Sequence, residues 1–377
     1  MPTYYITTLN IIIPIFVILI LLEIFYANII NKSFVIRSMD TLSSLCSGLT
    51  NVIRDVLGLT IIIVSYSFMV NNFALFTIKT TWITYVVAFI GIDFAGYWVH
   101  RINHSINYFW NHHIVHHSSE EFNLACALRQ SISNFFSLTF VFLVPTAIVG
   151  VPAEVITFLA PLHLFAQYWY HTRLIGNLGF LEYILVTPSH HRVHHAINKE
   201  YLDKNLSQIF IIWDKLFGTF QKELNEVPPV YGVKRPVRSW NPIFINFTHL
   251  MVLIKDAWRT NNWYDKLRIW FMPTGWRPKD VENEFPIVSI DPSNDYEKYY
   301  PNLSLKLQIW SWIQYTLVFC FMMYFINNLY RISFVEGIQY AVFLYVSIYG
   351  LTSLMDQDSY AWIFEIGKSF FGFVLII

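Results

Sequence analysis

An all-α, polytopic membrane protein is the fold class the sequence predicts, and three observations carry that reading. Of 377 residues, 55% are hydrophobic and only 13% charged, too apolar a balance for a soluble domain. Several separate apolar runs approach the roughly 20 residues that a helix needs to cross a hydrocarbon core. Twelve of the thirteen histidines fall between His100 and His195, beside such runs.

The expected spans are, in order, Leu9–Ile30, Leu57–Phe76, Trp82–Val99, Ile132–Gly150, Val155–Tyr170, Trp310–Leu329, Phe334–Leu354 and Trp362–Ile377. The first has no basic stretch before it and no small-residue cleavage site after it, so it is expected to be a retained span and not a signal peptide. Pro145, Gly150 and Pro152 interrupt the fourth and fifth, which predicts a helical hairpin that leaves and returns on one side. The last run reaches Ile377 without a polar tail, as expected of a shortened chain or of a segment that ends in the membrane.

Four regions follow from this pattern: N-terminal spans over 1–80, a catalytic unit over 81–222, a polar segment over 223–303 and C-terminal spans over 304–377. Fifteen of the 25 Lys and Arg lie between Arg192 and Lys298, and basic residues near span ends favour the cytosol. With Lys32, Arg37 and Arg54 after the first span, three crossings bring the end of the third span to the cytosolic face. A histidine-rich cap is expected there.

Formal charge is zero and no long basic run exists, which removes a nucleic-acid partner. Cys46, Cys126 and Cys320 are far apart, which removes a disulfide framework and a thiolate zinc site.

The histidines fall into boxes. His100 and His104 are four apart, so on a helix they share a face. His113, His116 and His117 repeat the i, i+3, i+4 spacing, and so do His191, His194 and His195. His171 ends the returning arm of the hairpin. Neutral imidazole is the commonest metal ligand, and nine such groups exceed what one ion can hold. Two metal ions, most simply iron, are the expectation, because zinc has no redox chemistry and a structural zinc is satisfied by four ligands. A packing cluster of histidines is the plain alternative.

His112 and His190 precede their boxes by one residue and are expected to point off the shared face, in contact with ligands and not as ligands. Asp93, seven residues before His100, is expected to accept a hydrogen bond from a ligating imidazole, with Glu182, Asp203 and Asp214 as weaker candidates. His163 and Gln167 either line the approach to the metals or are satisfied within the bundle. His249 stands alone and reads as structural. Tyr97, Trp98, Trp110, Tyr168 and Trp169 either line an alkyl channel or belong to the membrane interface. Boxes that emerge from spans put the metals within about a nanometre of the interface by helix rise, so a lipid entering from the bilayer is the expected substrate.

Together the boxes resemble the fatty acid hydroxylase and sterol desaturase superfamily over roughly Ile92 to Phe220. Four runs, from Trp110 to Leu124, Ala127 to Ser131, Thr187 to His195 and Trp213 to Phe220, are more closely similar to the alkylglycerol monooxygenases within it. The resemblance implies a di-iron site held by His100, His104, His113, His116, His117, His171, His191, His194 and His195. It also implies O2-dependent oxidation of the ether-linked carbon of an alkylglycerol, with tetrahydrobiopterin as electron donor. Ser105 departs from that pattern, since animal members carry Glu there, and a redox protein is the other donor class. The same boxes are compatible with sterol, fatty acid or carotenoid oxidation, and a non-catalytic metal-binding or transport protein is the reading from another class. Nothing in the sequence speaks to oligomeric state.

Overall fold

The computed structural model describes residues 3–30, 36–59, 64–134, 138–292 and 296–376. Regular structure among the described residues is helical, with three isolated bridges and no strand.

Helix α1 (Thr3–Phe25) runs into one π-turn at Tyr26–Ile30, and α2 (Ser38–Val56) follows. A short α3 (Tyr66–Phe73) leads to the long α4 (Trp82–Ser105), which starts with a capping box between Thr81 and Thr84. Beyond α4 come α5 (Asn107–His117), the hairpin of α6 (Thr139–Val149) and α7 (Ala153–Phe165), and the short helices α8 (Pro188–His194) and α9 (Ile212–Phe217). Helices α10 (Pro242–Arg259), α11 (Trp263–Arg268) and α12 (Lys279–Glu284) fill the segment expected to be polar. Last come α13 (Leu305–Asn328), α14 (Phe334–Met355) and α15 (Ala361–Ile376).

Among the described residues, four helical stretches are long and apolar enough to cross a membrane: Ile6–Ile29, Trp82–Ser105, Leu305–Arg331 and Phe334–Met355. The expected span Leu57–Phe76 is not such a helix. Its described part holds only the eight-residue α3, and residues 60–63 lie outside the described residues, as does Lys32.

The helix that takes its place is α2. It runs parallel to α13, with the Trp312 indole donating to Ser38 Oγ at 2.8 Å at one end and Leu57 packed at Gly337, beside Leu329, at the other. Leu42, Cys46, Leu49, Ile53 and Val56 enter one core with Met322, Phe325 and Ile326 of α13 and Leu344, Ile348 and Leu351 of α14. Asp40, Arg54, Asp55 and several Ser and Thr break its hydropathy. They are tolerated because other protein groups meet them: Ser43 Oγ donates to the Trp240 carbonyl and Ser44 Oγ to that of Asp40. The chain thus passes from one end of the bundle to the other along α2 and comes back along α4.

The hairpin reaches only part-way: 11 and 13 residues span about 17 and 20 Å at helical rise. Its tip is Gly150, at φ +90°, where an added Cβ would overlap the Phe76 carbonyl. Leu75 N–H donates to the Ile148 carbonyl, so the stretch after α3 lies under the tip. Residues 135–137 of the run predicted before it lie outside the described residues. Trp362–Ile377, the last expected span, is the 16-residue α15 packed along α14.

The predicted polar segment is folded on the cap. Asn107, at the start of α5, donates to the carbonyls of Ile269 and Trp276, and the Leu250 amide donates to Asn111. Its outer face is apolar, with Met251, Ile254, Trp258, Trp263 and Phe271 exposed.

Candidate metal centre

The end of α4, the whole of α5 and α8, and the turn after α7 converge at one end of the bundle. All nine boxed histidines meet there in two groups: His100, His104, His113, His117 and His194 in one, and His116, His171, His191 and His195 in the other. In each group the nearest ring nitrogens all lie within 4.8 Å of one another. His117 and His195, from different groups, stack at 4.3 Å between centroids, so the two groups share a wall.

Helix geometry explains the split. On α5, His113 and His117 are four apart and turn to the first group, while His116 turns to the second. On α8 and its C-cap, the pair His191 and His195 turns to the second group and His194 to the first.

Five of the nine rings have their outward-facing nitrogen held by the fold. His100 Nδ1 donates to the Leu206 carbonyl at 2.7 Å, His194 Nδ1 to the Lys204 carbonyl at 3.0 Å and His104 Nδ1 to Asp203 Oδ1 at 3.2 Å. In the second group, His116 Nδ1 donates to the Arg129 carbonyl and His171 Nδ1 to the Gln167 carbonyl, each at 3.1 Å. These bonds put the proton on Nδ1 and turn a bare Nε2 inward.

The inward nitrogens then fit a metal ion. His100 and His113 bring Nε2 to Nε2 at 2.8 Å, His171 and His191 at 2.8 Å, His195 and His116 at 3.1 Å, and His116 and His171 at 3.4 Å. Ligands about 2.1 Å from one ion are separated by about 3.0 Å at a right angle and about 3.4 Å in a tetrahedron. For His116 and His171 both protons are committed to backbone carbonyls, so two lone pairs face each other and only a cation between them makes that favourable. His104, His117 and His194 have buried Nε2 atoms without a hydrogen-bond partner.

Burial and the neighbouring imidazoles hold His113, His117, His191, His194 and His195 well below the ordinary imidazole range, and burial brings His116 down to about 4. At neutral pH they are uncharged, the form a metal binds.

The chain matches the family Fatty acid hydroxylase over residues 85–219, which includes every one of the nine histidines. It is 34% identical to alkylglycerol monooxygenase of Homo sapiens over 358 residues, 93% of this chain and 78% of that protein. It is 36% identical to alkylglycerol monooxygenase of Xenopus tropicalis over 75% of this chain and 63% of that protein. Ornithine lipid hydroxylase OlsE of Rhizobium tropici is 27% identical over 36% of the chain. No solved structure matches.

The chain belongs to the alkylglycerol monooxygenase family.

Around this family's histidines, the acids expected to support the ligands are placed differently from the sequence reading. Only Asp203 reaches a cage imidazole. Asp93 accepts instead from His163 Nε2, the amides of Ile209 and Phe210 and the Trp213 indole, because its depth on α4 matches the loop after α8 and not the cage. Glu182 accepts from Thr187 and Ser189 at the start of α8, with His190 Nε2 at 3.9 Å, so both support the helix and touch no ligand. His112 meets Tyr108 and Phe109 edge to face and belongs to neither group. His249 is buried on α10, away from the cage. Ser105 is exposed and donates to the Arg101 carbonyl at 2.6 Å.

What sequence reasoning missed are backbone acceptors. Residues 203–206 orient three histidines of the first group, and Asp214 holds that loop by accepting from the amides of Leu206 and Ser207. Arg129 orients His116 while its side chain is buried against Asp40 at 2.7 Å. Carbonyls leave no mark on a sequence, although the runs from Ala127 to Ser131 and from Trp213 to Phe220 contain their supports.

A cavity of about 450 Å³ opens from the second group and from His100 and His113 toward the apolar helices. Its far walls are α1, from Ile20 down to Thr8, together with Leu49 and Val52 of α2, Leu164 and Phe165 of α7, and Phe319 and Met322 of α13. Of the five aromatics read as either channel-lining or interfacial, Tyr168 lines the cavity. Tyr97 and Trp98 pack on Phe217, Trp110 covers His104 and His117, and Trp169 is partly exposed.

Proposed function

We propose that this chain is an O2-dependent monooxygenase that hydroxylates the ether-bearing carbon of an alkylglycerol drawn from the bilayer. The single observation that carries the reading is the cavity, which joins the histidine groups to α1 and α13, helices long and apolar enough to cross a membrane. Two irons, one in each group, are the metals proposed, with a reduced pterin or a redox protein as electron donor.

Iron bound there supplies the one-electron and O2 chemistry that an unactivated C–H bond requires. The chain's own residues do the rest. The Nδ1 bonds to Leu206, Lys204, Asp203, Arg129 and Gln167 hold the rings so that the ligand set does not reorganise. Burial of the cage keeps water from competing with substrate. From Thr8 to Ile20 the α1 wall is about 18 Å long at helical rise, which supports one alkyl chain laid along the helix with its ether end at the cage.

The balance is one O2, two electrons and two protons consumed, one oxygen atom placed on the carbon beside the ether oxygen, and one released as water. The product is a hemiacetal that falls apart to a fatty aldehyde and glycerol. Fifteen of 25 Lys and Arg between Arg192 and Lys298 support a cytosolic cage.

The test is to incubate membranes that contain the chain with alkylglycerol, sterol and fatty acid in parallel, with O2 and reduced pterin, and to measure aldehyde and hydroxylated products. Aldehyde from alkylglycerol is the expected result. Turnover of sterol or fatty acid alone overturns the reading.

A further inference from the structure

Five side-chain amides line the cavity: Asn51 of α2 donates to the Ser131 carbonyl, while Asn103, Gln130, Gln167 and Gln208 each sit close in sequence to a group already placed at the cage. Asn103 is one helical turn from His100. Gln130 follows Arg129, whose carbonyl takes His116. Gln167 gives its own carbonyl to His171, and Gln208 lies two residues after Leu206, which takes His100. Thr8, Asn51 and Asp55 are polar residues of the cavity's α1 and α2 walls, while four of its five amides gather at the histidine end.

Their orientation is fixed from behind. Asp93, which already accepts from two amides and an indole, accepts from His163 Nε2 at 2.8 Å, leaving His163 Nδ1 as an acceptor. Gln167 Nε2 lies 3.2 Å from that atom, 3.2 Å from the His163 carbonyl and 3.4 Å from Gln208 Oε1. All three neighbours are acceptors, so the amide nitrogen faces them. The Gln167 side-chain oxygen is left toward the cavity, where it accepts from the Tyr170 hydroxyl at 3.4 Å. Gln130 is turned the same way, because its Nε2 donates to the Ala127 carbonyl. Gln208 is seated in a notch at Gly96, where an added Cβ would overlap its Oε1. With Oε1 taken by Gln167, its Nε2 is the donor of the set.

We infer that this amide set is the head-group site: two carbonyl acceptors and one amide donor that recognise the free hydroxyls of a single-chain polyol ether lipid and hold its ether carbon at the cage. The inference rests on the proposed function and names the part of the substrate that the chain reads. His163 is a positioning residue, acting through Gln167.

The experiment measures equilibrium binding to the purified, metal-containing protein in nanodiscs without O2, so that no turnover occurs. The probes are 1-O-hexadecylglycerol and hexadecyl methyl ether, which share the chain and differ in hydroxyls. Wild type is expected to prefer the glycerol ether at least about tenfold, one net hydrogen bond's worth. Gln167→Leu and Gln208→Leu are expected to lose that preference while they keep their affinity for the methyl ether, and His163→Phe to weaken it. If Gln167→Leu does not fold, Gln208→Leu and Gln130→Met carry the test. A wild type without preference, or leucine variants that retain it, overturns the inference. Preference without aldehyde release under O2 defeats the proposed function alone, whereas aldehyde release without preference defeats this inference alone.

Discussion

Asp203 reaches across 99 residues of chain to His104, its Oδ1 3.2 Å from Nδ1, and does so from a left-handed backbone at φ +55°. Asn205, two residues on, is left-handed as well at φ +53°. Asp and Asn tolerate this region better than other non-glycine residues. The pair turns the Lys204 carbonyl to His194 and the Leu206 carbonyl to His100, so one short loop sets three rings of the five-histidine group.

Asp203→Ala is accordingly expected to lower metal affinity by roughly 10–100-fold, the usual consequence of losing the group behind a ligating imidazole. Asp203→Asn keeps both the backbone tolerance and a carbonyl acceptor and is expected to lose less. Metal per chain after dialysis against graded chelator measures both. Equal retention in Ala and wild type counts against the role given to this contact.

His116→Ala and His194→Ala take one nitrogen from the four- and the five-membered group respectively. Each is expected to abolish aldehyde release and lower iron content while the protein stays in the membrane. The four-membered group is left with three ligands and is expected to lose its ion more completely. Elemental analysis beside activity decides this, and full activity in either variant contradicts the assignment.

Acid is expected to open the cage. An unfolded histidine protonates near 6.5, but burial keeps His116 neutral in the fold down to about 4. As pH falls below about 6.5 the unfolded chain binds protons that the folded cage refuses, so stability present above that pH is lost progressively toward about 4. His113, His117, His191, His194 and His195 shift in the same direction and add to the effect. The unfolding temperature of chelator-stripped protein, measured from pH 8 to pH 5, is expected to fall over the acid half of that range. A flat profile refutes it.

Arg129, 1% exposed, is paired with Asp40 and also donates to the Ser44 and Ser118 hydroxyls, while Ser119 donates to the other Asp40 oxygen. Asp40→Ala leaves a buried guanidinium unpaired and is expected to cost roughly 3–5 kcal/mol, with loss of metal from the four-histidine group because the Arg129 carbonyl shifts from His116. Asp40→Met with Arg129→Met removes both charges and is expected to recover most of the stability. Thermal unfolding of the two variants in detergent reads the difference.

Much of the centre is legible in the sequence. The i, i+3, i+4 spacing of His113, His116 and His117, and again of His191, His194 and His195, places each trio on one side of a helix, and the number of imidazoles exceeds what one ion can hold. The membrane character is equally legible, since α1, α4, α13 and α14 are continuous apolar runs. Helix α2 is not. Asp40, Arg54 and Asp55 mark a helix that no lipid would accept bare, and only contact with α13, α14 and the Arg129 loop removes that cost. Asp93 misleads for a related reason: a carboxylate on the face that carries His100 reads as its partner until depth shows it opposite His163.

What the sequence determined by itself, then, is which residues can bind metal and that they sit beside membrane helices, because local spacing and hydropathy are properties of a single segment. The tertiary structure alone decided that the nine histidines divide five and four, that backbone carbonyls of residues 204, 206, 129 and 167 orient four of them, and that α1, α2, α7 and α13 enclose a cavity ending at the two histidine groups. Those are relations between segments far apart along the chain, and they exist only where packing brings the segments together.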